Sequence, residues 1–277
     1  MRPLLAALVA ILLAACSGSM GGSASAPVES AVSTSAVTPP PSTAASSTPT
    51  PSALADLSLV ALGDSIVSEG YPQLFADLIE KQTGKPVAVT TFADGSNTTS
   101  TVLAALRGQA GVRSAVQAAD IVTISVGGND ADPFVTYPAG TCAPGGKGSA
   151  CIARYAPDLA VNYEAILTEI EKLRAGKQTL IRPTSDYNPF IGWDAAPTAT
   201  FGIDFYKQVE DAETNLVCDL ATKHGLVCAD IYHAFNGPLG TTDAAPFLAS
   251  DHAHPSAAGA KLIAETVMSA GLAPLTP

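Results

Sequence analysis

Charge is what this sequence has least of: Asp, Glu, Lys and Arg make up 14% of its 277 residues, with 14 basic side chains against 25 acidic ones. No Lys/Arg cluster occurs anywhere, and a formal net charge of −11 repels phosphate backbones, which excludes nucleic acid as an expected partner. The same balance excludes electrostatic adhesion to anionic lipid headgroups. No apolar run approaches the roughly 20 residues that a membrane-spanning helix needs. There is no C-x-x-C pair, and His, Cys and carboxylates do not cluster at zinc-ligand spacing, so no metal site is expected. Internal repeats are absent as well.

What is present begins at the N-terminus. Arg2 is followed by an apolar run from Leu4 to Ala15, too short to span a bilayer but suited to a signal-peptide core. The run ends in Leu13-Ala14-Ala15-Cys16-Ser17, which resembles the lipobox of bacterial lipoproteins. That resemblance implies cleavage after residue 15 and lipidation of Cys16, hence export and anchoring at the cell membrane or envelope. An ordinary secretory signal is the alternative, and it too exports the chain. From Ser17 to Ala55 the sequence is mainly Ser, Thr, Ala, Pro and Gly, with Glu29 as its only charge. Such a segment cannot bury enough apolar surface to offset its ordering entropy, so 16–55 reads as a tether. A flexible coil of that length has an end-to-end distance of roughly 35 Å. Residues 56–277 remain as one folded domain, expected to be monomeric.

Five cysteines minus a lipidated Cys16 leave an even number in an exported chain. Three pairings are possible. Cys142–Cys151 and Cys218–Cys228 are favoured, because each closes a short local loop.

From Asp56 onward short apolar runs alternate with amphipathic stretches. Leu57–Leu62, Pro86–Phe92, Ile121–Val126, Thr179–Ile181 and Leu226–Ala229 read as buried strands. Tyr71–Thr83, Thr98–Leu106, Pro157–Ala175, Phe201–His224 and Pro255–Ala270 read as helices. The alternation predicts βαβ units, a parallel sheet and a three-layer α/β/α sandwich. In such folds functional residues lie beyond the carboxyl ends of strands.

Those positions hold suggestive residues. Gly63-Asp64-Ser65 comes after the first strand, where a Ser at a strand-to-helix turn is exposed above the sheet with its amide towards the helix start. Gly95 lies in the loop after the second strand, where its bare backbone could approach a substrate oxygen. Gly127-Gly128-Asn129-Asp130 comes after the third strand, and an Asn amide there could donate to an oxyanion. Asp251-His252-Ala253-His254 precedes the last helix, and an acid three residues before a His can hold its imidazole tautomer. Taken singly, Ser65 would pass for a helix cap and Gly95 or Asn129 for turn residues. Of the four histidines, His224 sits near a helix end, His233 is read as a loop residue with no acid at the matching offset, and His252 has Ala249 at that offset, which leaves His254 as the base.

Together, and in this order, the four blocks resemble those of the SGNH (GDSL) hydrolase family, over about Leu57 to Gly271. The resemblance implies a flavodoxin-like α/β/α fold with Ser65, Asp251 and His254 as triad. It implies an oxyanion hole of the Ser65 and Gly95 N–H groups and the Asn129 side chain, and acyl transfer through an acyl-Ser65 without metal or organic cofactor. Two excursions fit less closely, Asp132–Tyr155 and Thr184–Thr200. The second contains Tyr187, Phe190 and Trp193, candidate walls of a substrate pocket. The expected activity is hydrolysis of carboxylic esters. An O-deacetylase or acyltransferase on envelope polysaccharide or glycolipid is the alternative, and a non-catalytic solute-binding lipoprotein a remote one.

Overall fold

The computed structural model describes residues 56–135, 142, 146–192 and 203–275. The signal peptide, Cys16, the tether and Trp193 lie outside them. Four parallel strands form one sheet: β1 (Leu57–Gly63), β2 (Val87–Ala93), β3 (Ile121–Ser125) and β4 (Leu180–Pro183), in the order β2-β1-β3-β4. The order reverses at β1, because the chain moves to one side of β1 to make β2 and to the other to make β3. The central strands are continuous apolar runs because both of their faces are covered. Successive side chains of β1 divide between two cores, Leu59 and Ala61 on one face, Val60 and Leu62 on the other.

The first face is covered by α2 (Tyr71–Thr83), α9 (Ile231–Asn236) and α10 (Ala257–Ser269), which bring Phe75, Ile79, Phe235, Ile263 and Val267 against it. The second is covered by α3 (Thr99–Gly108), α4 (Ala110–Ala118), α7 (Ala156–Leu173) and α8 (Ile203–Lys223), with Leu106, Val116, Ile166 and Val217 among the buried contacts. Each fully buried Leu, Ile, Val or Phe contributes about 1.5–3 kcal/mol. The three expected layers are therefore present. Three shorter helices, α1 (Ser65–Ser68), α5 (Gly128–Val135) and α6 (Gly148–Ile152), complete the set.

One expected strand fails to form. Leu226–Ala229 makes a single parallel bridge, Thr184 to Ala229, in place of a fifth strand. The Val227 carbonyl, which a longer ladder would need, accepts instead from Arg182 Nη1 at 2.8 Å. Both favoured cysteine pairs are disulfide-bonded, Cys142–Cys151 and Cys218–Cys228. Among the described residues no helix is long and apolar enough to cross a membrane.

Candidate active site

The strand-order reversal opens a crevice beyond the carboxyl ends of β1 and β3, the usual ligand position in open α/β sheets. The two strands leave it close together. A Cβ on Gly63 would collide with the Ser125 carbonyl oxygen, so only glycine fits there. The next amide, Asp64 N–H, donates to that oxygen at 3.2 Å. Asp64 caps α1 by accepting from the Ile66 N–H at 3.0 Å. The cap is thus Asp64, which leaves the Ser65 hydroxyl free to face the crevice.

Gly95 adjoins the Ser65 side chain: a Cβ built on it would lie 3.9 Å from Ser65 Cβ. Its loop is braced from two directions. Asn97 Nδ2 donates to the Gly63 carbonyl at 2.8 Å, and Asn129 Nδ2 donates to the carbonyls of Gly95 at 3.0 Å and Asn97 at 2.8 Å. Both amide hydrogens of Asn129 are therefore engaged by the loop beside Ser65. Its neighbour Asp130 accepts from the Thr99 N–H at 2.9 Å and from the Thr99 hydroxyl at 2.5 Å, fastening the start of α3.

The Asp251–His254 segment is equally constrained. Asp251 Oδ1 accepts from the Ala253 and His254 N–H groups, each at 3.0 Å, while Oδ2 lies 2.7 Å from His254 Nδ1. Partial desolvation pushes the Asp251 carboxyl up, but these hydrogen bonds and the imidazole outweigh it and hold it at about 2. An ionised Asp251 makes Nδ1 the donor and leaves Nε2 as the basic nitrogen. Tyr187 supports the same segment, its hydroxyl donating to the Ala253 carbonyl at 2.6 Å.

Ser65, Asn129 and His254 line one cavity of about 210 Å³, with Tyr187 and Phe190 also in its wall. His233 needs a correction. Asp230 stands three residues before it, and the pair lies 2.6 Å apart, the same spacing and contact as Asp251–His254. It belongs to α9 and not to a loop, and it does not line the cavity that holds Ser65. Position relative to Ser65 therefore separates the two pairs, whereas sequence offset does not.

The cavity also contains residues that the sequence did not single out. Asp64, Asp186, Glu210 and Glu213 line it, as does Tyr206. Glycines admit two of these carboxyls, since a Cβ on Gly127 would meet Glu213 Oε1 at 2.6 Å and one on Gly128 would meet Asp186 Oδ2 at 2.5 Å. Burial, followed by the charge of Asp186, lifts Asp64 to about 8. Burial, again with Asp186 next, lifts Glu213 to about 8, and burial lifts Asp186 to about 6. Two signals were available. Asp186 lies just past the fourth strand, and Glu210 and Glu213 share the helical face of Tyr206, Val209 and Val217.

Comparisons with known proteins agree with this architecture. Residues 61–262 match the GDSL-like Lipase/Acylhydrolase family. No curated protein matches the chain in sequence. Among solved structures, the lipase Lip_vut3 from a goat rumen metagenome is similar at TM-score 0.65 and 23% identity, over 79% of this chain and 100% of that one. A putative GDSL-like lipase from Parabacteroides merdae is similar at TM-score 0.57 and 16% identity, over 78% and 95% of the two chains. A mutant of an acetyl-xylooligosaccharide esterase from Geobacillus is similar at TM-score 0.57 and 20% identity, over 77% and 93%. With a family match spanning most of its length and the corresponding α/β fold, the chain belongs to the GDSL-like lipase/acylhydrolase family of hydrolases.

Proposed function

We propose that this protein is an exported, envelope-anchored serine hydrolase that cleaves carboxylic esters through an acyl-Ser65 intermediate. The observation that carries this reading is the convergence of Ser65, Asn129 and His254 on one cavity, with Asp251 on the far nitrogen of the imidazole. In the reaction, His254 Nε2 takes the Ser65 proton as the hydroxyl oxygen attacks the ester carbonyl. The oxyanion is held by the N–H groups of Ser65 and Gly95, neither of which has an acceptor among the described residues, and by Asn129 if it releases one carbonyl. His254 then protonates the departing alcohol, and water, deprotonated by the same imidazole, releases the acid. Cys16 supplies the anchor in this reading, and the Ser/Thr/Pro tether spaces the domain from the membrane.

A second reading, an O-deacetylase or acyltransferase on envelope polysaccharide or glycolipid, is favoured by the cavity's size. About 210 Å³ is below the roughly 300–1,000 Å³ of pockets for drug-sized ligands, which suits a short acyl group. The acetyl-xylooligosaccharide esterase among the structural relatives points the same way.

The test is a p-nitrophenyl ester series from acetyl to palmitoyl, run on the parent and on Ser65→Ala. The parent should prefer acetyl, and Ser65→Ala should lose turnover while keeping its circular dichroism spectrum. Near-parental turnover by Ser65→Ala would remove Ser65 from the mechanism. Activity on palmitoyl comparable to that on acetyl would refute the short-acyl reading.

A further inference from the structure

The cavity at Ser65 has more carboxyl groups in its wall than ester cleavage requires. Asp64 comes from the end of β1, Asp186 from the loop after β4, and Glu210 and Glu213 from one face of α8. Among the described residues no Lys or Arg lines the cavity, and the one basic side chain in its wall, His254, is engaged by Asp251. Glu210 Oε2 is closed off from solvent and has no hydrogen-bond partner among the described residues. A carboxyl shielded from water gains most from a positive charge brought beside it, because little solvent is there to screen the attraction. These carboxyls are not grouped as metal ligands: among the described residues no three His, Cys, Asp or Glu side chains are placed to hold an ion.

The rest of the wall narrows the choice of ligand. Tyr187, Phe190 and Tyr206 contribute aromatic rings to the same cavity, and the Phe190 and Tyr206 centroids are 4.5 Å apart. Aromatic rings attract an alkylated cation through their quadrupole, and carboxylates supply its counter-charge. A carboxylate-bearing ligand would meet like charge from several directions. Burial, and after it the charges of neighbouring carboxylates, holds Asp64, Glu210 and Glu213 well above the ordinary carboxyl range.

We propose that the substrate of this site carries an ammonium group on the part that fills the cavity, with Glu210 as its counter-charge and the rings of Phe190 and Tyr206 against its alkyl groups. The inference rests on the ester-hydrolase reading only in taking this cavity as the substrate site. Entry of the cation ionises a carboxyl and releases its proton, so affinity rises with pH across the neutral range.

The probes are choline and 3,3-dimethylbutan-1-ol, which match in shape and differ in charge. Both are titrated calorimetrically into the wild-type full chain at constant ionic strength, at pH 6.5 and pH 8. Choline should bind with one site and at least ten times more tightly than the uncharged alcohol, and the ratio should be larger at the higher pH. In Glu210→Gln the ratio should fall to about two, although the net charge of the chain changes by only one, which separates a built site from general attraction to an acidic protein. A ratio near one in the wild type, or a ratio unchanged by Glu210→Gln, overturns the proposal. Binding is read without turnover, so the two readings fail separately. An active esterase with no choline preference loses only the ammonium inference, whereas a choline-selective chain that cleaves no ester loses only the hydrolase reading.

Discussion

Asn129→Ala offers the sharpest test of how the site works, because the structure gives this side chain two tasks. An Asn amide has two hydrogens, and here both are bonded to carbonyls of the loop beside Ser65. To hold a developing oxyanion it must give up one of them. A dedicated oxyanion donor contributes about 2.7–4 kcal/mol to the transition state. Subtracting about 1 kcal/mol for the carbonyl bond released leaves about 1.7–3 kcal/mol, a fall in kcat of about 20- to 150-fold. Loss of both loop bonds should also lower global or local stability by about 1–3 kcal/mol. The comparison variant is Asn97→Ala, which removes the brace onto the Gly63 carbonyl and the bond from the Thr101 hydroxyl but no proposed oxyanion donor. Initial rates over a range of p-nitrophenyl acetate concentrations, with urea unfolding of each variant, separate the two effects. If Asn129→Ala and Asn97→Ala lose stability alike and Asn129→Ala keeps kcat within about threefold of the parent, Asn129 is a brace and the oxyanion is held by backbone alone.

Two further outcomes are expected. Asp64, Asp186 and Glu213 bind protons more tightly when folded than when unfolded, so their stabilising share is complete below the ordinary carboxyl range and is lost as pH rises through about 6 and then about 8. Asp251 acts in the opposite sense, its share being present above 3.8 and lost as pH falls towards about 2. The Tm should therefore be highest in mildly acidic buffer and fall between pH 6 and 9, and a Tm that rises or stays flat over that range would contradict the burial of these acids. Finally, Cys16→Ser should move the protein from the membrane fraction to the soluble one, and continued detergent-dependent fractionation would refute lipidation at that residue.

Much of this organisation was legible in the sequence because periodicity and strand-end position are local signals. The buried runs of β1 and β3 and the amphipathic lengths of α2, α7 and α10 carry their own patterns, and Ser65 and Asn129 each stand a few residues past the end of such a run; Gly95 follows β2, which was expected to be buried but lies at the sheet edge with no buried residue. What escaped was set by distant partners. Leu226–Ala229 has a strand's composition but yields a carbonyl to the Arg182 side chain. Ala110–Ala118 and Ile231–Asn236 are helices too short and too plain to stand out before packing selects them. Asp230–His233 duplicates the local chemistry of Asp251–His254, and only tertiary placement tells them apart. Glu210 and Glu213 lie far along the chain from Ser65, and nothing short of the assembled fold brings α8 to its side.

Arg182 limits where this polypeptide can be cut. The residue is 2% exposed, belongs to the last strand of the sheet, and its guanidinium donates to the carbonyls of Val227 at 2.8 Å and Gly271 at 2.6 Å. A chain ending before Gly271 would strand a buried cation with one of these two acceptors gone, a defect on the scale of several kcal/mol. The practical end of the domain is therefore decided at β4, nearly ninety residues earlier in the chain. Affinity tags appended after residue 275 respect that boundary, and tags replacing the last turn of α10 do not.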